Sequence, residues 1–99
     1  MASDLTASRV VTIVNPQGLH ARPAYMFAEL AGRFEATIEL EKDGEKIDGK
    51  SILSILTLAA GHGAKITLIA TGPDAHEALA ALGDLVDAGF PGEETADAT

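Results

Sequence analysis

The segment Gly18-Leu19-His20-Ala21-Arg22-Pro23-Ala24 holds the residues best suited to chemistry in this chain. A helix accepts proline in its first turn, where the amides have no intrahelical carbonyl to bond. Pro23 therefore sets a helix start at about Ala21 and puts His20 at the entrance. There the macrodipole presents roughly half a unit of positive charge. Such an end disfavours an imidazolium and favours an anion. Arg22, two residues on, brings a fork of donors to the same spot. A neutral imidazole, with an ordinary pKa of about 6.5, is nucleophilic near pH 7 without a separate base. The pattern fits a histidine that takes up a phosphoryl group. Its oxygens would rest on the backbone amides of Ala21 and Arg22 and on the Arg22 guanidinium. A histidine at a helix start beside a solvated arginine is ordinary by itself. The glycine and proline that fix its position make the combination specific.

A second candidate region is Lys50-Ser51-Ile52-Leu53-Ser54-Ile55-Leu56. Ser51 can cap a helix over Ile52–Ala60, stopped by Gly61 and Gly63. At about 100° per residue, Ile55, Leu58 and Ala59 point inward and Ile52, Leu53 and Leu56 are partly left out. Exposed aliphatic residues on a small domain mark a partner-binding surface. A phosphate on Ser51 would be tolerated at the helix end, and would put about two negative charges beside that patch. The other histidines, His62 and His76, match no metal-ligand spacing and read as surface residues. Neither a metal nor a cofactor is expected.

Composition narrows the partners. The chain has 99 residues, enough for one core, and 46% of them are hydrophobic. Seven basic against fifteen acidic residues give a formal charge of -8, which repels nucleic acid and anionic lipid. The absence of cysteine excludes a disulfide framework, a thiol nucleophile and a thiolate metal site. No apolar run is long enough for a membrane span or a secretory signal. A cytoplasmic, monomeric domain is the expectation.

The elements that must position these residues read as β-α-β-β-α-β-α. A first strand covers Arg9–Val14, and Asn15-Pro16-Gln17-Gly18 breaks it. After the helix at Ala21, Ala36, Ile38 and Leu40 alternate with polar residues in a second strand. Asp43-Gly44 turns into a short return strand, Glu45–Asp48. Following the Ser51 helix comes a strand over Lys65–Thr71. Asp74 and Glu77 then resemble a capping box for a third helix that ends at Gly89, with Phe90 folding back on it. Two β-α-β crossovers around a hairpin predict an α+β two-layer sandwich, a four-stranded, largely antiparallel sheet with the helices on one face. Residues 9–90 form this domain, and 1–8 and the acidic 91–99 are expected as flexible tails.

The Gly-Leu-His-Ala-Arg-Pro-Ala run, with Lys50-Ser51-Ile52 placed 31 residues after His20 and Ala-Thr-Gly-Pro at 70–73, resembles the HPr family. These are the histidine-containing phosphocarriers of the bacterial phosphoenolpyruvate-dependent phosphotransferase system. The resemblance implies an open-faced sandwich with strand order 1-4-2-3. It implies that His20 is phosphorylated on Nδ1 by enzyme I and passes the group to an enzyme IIA, with Arg22 as the site arginine. It further implies that Ser51 matches the serine modified by HPr kinase/phosphorylase in lineages that have it, and that Ile52, Leu53 and Leu56 match the docking patch. Glu29, Gly32 and Ser54 stand where many sugar-branch members carry lysines, so the basic rim is thin, and Gln17 replaces a small residue or Asn. The Glu-Ala-Leu-Ala-Ala stretch and the acidic tail resemble the nitrogen-branch version. The functional expectation is a phosphoryl relay protein rather than a self-sufficient enzyme. The alternative is a regulatory interaction module, of nitrogen-branch or carbon-catabolite type, switched by phosphate on Ser51 or His20.

Overall fold

The computed structural model describes residues 5–91. The chain runs β1 (Leu5–Thr12), α1 (Ala21–Ala31), β2 (Thr37–Lys42), β3 (Glu45–Asp48), α2 (Ile52–Thr57), β4 (Lys65–Gly72) and α3 (Ala75–Asp87). The four strands form one sheet in the order β1-β4-β2-β3, and every neighbouring pair is antiparallel. This is the α+β sandwich expected from the sequence, with its 1-4-2-3 order.

Register shows how one sheet face becomes the core. Val11 pairs with Ile66, while Leu68 and Ala70 pair with Leu40 and Ile38. All six are buried together with Phe27 of α1, Ile55 of α2 and Leu82 and Val86 of α3. The intervening positions, Ser8, Val10, Thr67, Ile69, Glu39 and Glu41, occupy the opposite, open face. With few aromatics available, Phe27 and Phe90 are the bulkiest fully buried side chains. Phe90 does fold back. Its N–H donates to the Leu85 carbonyl and that of Gly89 to Val86, the paired bonds that satisfy the last helical carbonyls. Asp43 and Gly44 both take positive φ, 54° and 86°, as the tight hairpin between β2 and β3 requires.

Four details differ from expectation. First, β1 starts at Leu5 and ends at Thr12, so residues 5–8 of the expected tail belong to the sheet. Leu5 to Ser8 have little to bury, but β4 is long enough to pair with all of them, from Leu5 with Gly72 to Ser8 with Ile69. The rest of the expected tails, 1–4 and 92–99, lies outside the described residues. Second, α2 is shorter than Ile52–Ala60, ending at Thr57 with Leu58 as C-cap. Third, what ends it is Ala59 at φ 56°, exposed rather than inward, ahead of either glycine. Fourth, Asp74 stands at the N-cap of α3 without making a capping bond. Its carboxylate instead accepts the N–H groups of Glu35 and Ala36.

Candidate functional site

Helix α1 begins at Ala21 because of Pro23. The first i→i−4 bond is Ala24 N–H to the His20 carbonyl, 2.9 Å, and Pro23 has no amide to offer. His20 is the N-cap residue, with extended backbone (φ -84°, ψ -166°), and its side chain makes no capping bond. The N–H groups of Ala21 and Arg22 have no acceptor among the described residues and lie at the positive helix end. His20 is half-buried, Ala21 and Arg22 are exposed, and no acidic residue occupies the first turn. Arg22 forms no ion pair with any described carboxylate, whereas Arg33, just beyond the end of α1, faces Glu29 at 3.4 Å. An open depression at this end is lined by Ala21, Arg22 and Tyr25. The arrangement can receive an anion: two backbone donors, a guanidinium unpaired among the described residues, and a histidine at the same helix turn.

The loop before His20 is held from two directions. Gly18 has φ +73°, and a Cβ on it would collide with the Ala60 carbonyl and the Gly61 backbone. Leu19 N–H donates to that same Ala60 carbonyl at 2.9 Å, and the Leu19 side chain is buried. Ile13 N–H bonds the Ala64 carbonyl, and Gly63 N–H returns a bond to Ile13. The segment after α2 thus forms the floor on which the His20 loop rests. It is also why α2 stops early, since Ala60 must turn inward to accept from Leu19.

Ser51 lies where the sequence put it, at the N-cap of α2, its Oγ accepting Ser54 N–H at 3.2 Å. Lys50 donates from Nζ to the Phe34 carbonyl, 2.8 Å, which ties this corner to the end of α1. On α2 the expected division holds for five of the six residues. Ile55 and Leu58 are buried, and Ile52, Leu53 and Leu56 are 38%, 76% and 37% exposed. Helices α1 and α2 pack side by side, so the histidine end and the apolar patch belong to one helical layer. His62 and His76 are exposed, and among the described residues no group of three or more His, Asp or Glu could hold a metal. Sequence reasoning missed two members of the site. Tyr25 follows Ala21 by one helical turn, a spacing visible in the sequence. Asn15 is 5% exposed and bonds to Gly18, for which no sequence signal existed beyond its place in a turn.

Fold and site together define a small open-faced domain that offers a histidine and a set of anion donors at a helix start. The family model for the PTS HPr component phosphorylation site matches residues 7–88. The phosphocarrier protein HPr of Cupriavidus necator is 43% identical over 74 residues, 75% of this chain and 83% of that protein. The HPr-like protein Crh of Bacillus subtilis is 49% identical over 65 residues, 66% of this chain and 76% of the relative. Among solved structures, HPr-C-His from Thermoanaerobacter tengcongensis superposes with TM-score 0.83 at 40% identity, covering 85% of this chain and 94% of its own. The chain belongs to the HPr family, the phosphocarriers of the phosphotransferase system. Some related structures are dimers, including an HPr dimer from the same Thermoanaerobacter species (42% identity, TM-score 0.69, 81% of this chain and 92% of that one). The expected monomer is therefore not a property that the family supplies. No helix among the described residues is long and apolar enough to cross a membrane.

Proposed function

We propose that the chain carries a phosphoryl group on His20, accepting it from enzyme I and giving it to an enzyme IIA in the cytoplasm. The observation that supports this best is the pair of first-turn amides at Ala21 and Arg22, next to His20 and beside an Arg22 guanidinium that pairs with no carboxylate among the described residues. A ring nitrogen of His20 attacks phosphorus, and the new N–P bond forms as the bond to the donor's leaving group breaks. The charge on the oxygens of the transferred phosphoryl group is met by the two N–H donors and the guanidinium, donors already in place before the group arrives. In the return step an acceptor on the enzyme IIA attacks the same phosphorus, and the imidazole leaves. Ile52, Leu53 and Leu56 form the apolar docking patch for both larger partners. Incubation with enzyme I and phosphoenolpyruvate is expected to add one acid-labile phosphate, visible by mass spectrometry. His20→Ala is expected to add none; a phosphorylated His20→Ala protein would refute the assignment.

A second reading, control through Ser51, is supported by the Crh relative and by the position of the Ser51 hydroxyl at the cap beside Ile52 and Leu53. A phosphate placed there by an HPr kinase/phosphorylase would add charge to the patch without touching the core. Ser51→Asp is expected to weaken capture of one or more partners. Equal capture of every partner by both proteins would count against the switch.

A further inference from the structure

We propose that Asn15 is the positioning residue for His20, acting by locking the Gly18–Leu19 peptide; this rests on the phosphocarrier reading above. Asn15 is the one buried polar residue among those described. Its Nδ2 donates to the Gly18 carbonyl at 2.6 Å, and its own carbonyl accepts Gly18 N–H at 3.1 Å. The next N–H, that of Leu19, donates to Ala60. A single peptide plane is thus gripped at its oxygen by Asn15 and at its nitrogen by Ala60. Only the Leu19–His20 peptide separates that plane from His20.

The grip is needed because of what Gly18 is. A glycine at positive φ opposes rotation of the following peptide plane only weakly, since it has no Cβ to collide. A flip there would swing Leu19 N–H off Ala60 and re-aim the residue that follows. The Nδ2 bond blocks that flip. It does so at a cost, for Asn15 Oδ1 is buried with no partner among the described residues. An aliphatic side chain would fill the space without an orphaned oxygen. Only the Nδ2 donor explains an amide at this position. Asn15 therefore does not touch the phosphoryl group, and acts on transfer by holding the histidine in register with the Ala21 and Arg22 amides.

The test uses Asn15→Ala and Asn15→Asp in the full chain. Aspartate keeps the size of asparagine, but once ionised it offers Gly18 no proton. In steady-state transfer from phosphorylated enzyme I at pH 8, both variants are expected to lose about tenfold in kcat. KM should stay within about twofold, because the α2 patch is untouched. Hydrogen exchange followed by NMR should show Leu19 N–H exchanging at least about tenfold faster in both variants, with Ile66 and Leu68 unchanged. Lowering the pH should slow Leu19 exchange in Asn15→Asp relative to Asn15→Ala, since the protonated acid can donate to Gly18 again. Unchanged kcat in folded variants, or a raised KM at constant kcat, would overturn the proposal. Should Asn15→Ala fail to fold, Asn15→Asp decides by the same criteria. If the wild-type chain takes no phosphate at all, the phosphocarrier reading fails, and the Leu19 exchange rates alone decide whether Asn15 locks the loop.

Discussion

The carboxylate of Asp74 grips the backbone of Ala36: Oδ1 accepts Ala36 N–H at 2.8 Å and Oδ2 accepts Glu35 N–H at 2.9 Å. This joins the start of α3 to the approach of β2, across 38 and 39 residues of chain. Ala36 is buried, and Gly72 lies so close that a Cβ there would come 2.8 Å from the Ala36 Cα. The corner has no slack.

The same bonds set a pH dependence. Donation from Glu35 N–H holds the Asp74 carboxyl below its ordinary value of 3.8; partial desolvation opposes this, and Ala36 N–H and the Lys50 charge add to it. A folded-state pKa lower than the unfolded one makes a contribution that is complete above 3.8 and fades as the pH falls through the lowered value. Acid unfolding of the wild type is therefore expected to be steeper below about pH 4 than that of Asp74→Asn, which cannot titrate. Asp74→Asn should also melt several degrees lower at pH 7. Parallel stability-versus-pH curves for the two proteins would show that the carboxylate contributes nothing.

Gly18→Ala is expected to fail on two counts. Alanine at φ +73° costs about 1–2 kcal/mol from its own geometry. Its Cβ would also meet the Ala60 carbonyl, a backbone atom that cannot swing aside. A total loss on the order of 3 kcal/mol follows, measured by urea unfolding. A loss under about 0.5 kcal/mol would mean that the loop relaxes, and that its packing on Ala60 is not needed.

How much of this was legible in the sequence depends on the range of the interaction. Pro23 announced the start of α1, and Asp43-Gly44 announced the hairpin, because both act through their own backbone. Alternation in β2 and β4 reported the buried face directly. The partners of Asp74 were not legible: the residue has the type and spacing of a helix cap, and only tertiary packing shows that its oxygens serve Glu35 and Ala36 instead. Ala59 at positive φ follows from the bond between Leu19 and Ala60, a contact between two loops that no local pattern carries. Leu5 to Ser8 looked too polar to fold, and their order comes from the length of β4. For the candidate site, type and spacing singled out His20, Arg22 and Ser51. Asn15 was not, because its partner Gly18 was read only as a turn residue.

Arg9 and Gly83 form a coupled pair that reverses an ordinary rule. In a helix interior Gly→Ala gains about 1 kcal/mol. Here the Arg9 guanidinium lies across Gly83, where a Cβ would overlap it. Its Nη2 is 2.7 Å from Asp87 Oδ2, and its Nη1 donates to the Leu79 carbonyl at 3.4 Å. Alanine would push the guanidinium off these partners, which as a partly exposed group contributes about 0.2–1 kcal/mol. Gly83→Ala is therefore expected to be near neutral in the wild type and stabilising by close to 1 kcal/mol in an Arg9→Ala background. A double-mutant cycle measures the difference. Equal gains in both backgrounds would show that Arg9 moves aside freely.

Leu53 and Ile55 sit two residues apart on α2, one 76% exposed and the other fully buried. The same substitution should separate docking from folding. Ile55→Ser empties a core position and buries a hydroxyl, an expected loss on the order of 3 kcal/mol or more. Leu53→Ser removes surface that already meets water, so stability should stay within about 0.5 kcal/mol. If Leu53 belongs to the partner-docking patch, capture by enzyme I weakens about tenfold, the loss of one well-packed aliphatic contact. Because Arg33 is paired with Glu29 and the basic rim is thin, that affinity should change little between low and moderate salt. Isothermal titration at two salt concentrations checks both statements. An unaltered affinity for Leu53→Ser would remove Leu53 from the docking surface. A steep salt dependence in the wild type would show that charge, not the α2 aliphatic cluster, brings the partners together.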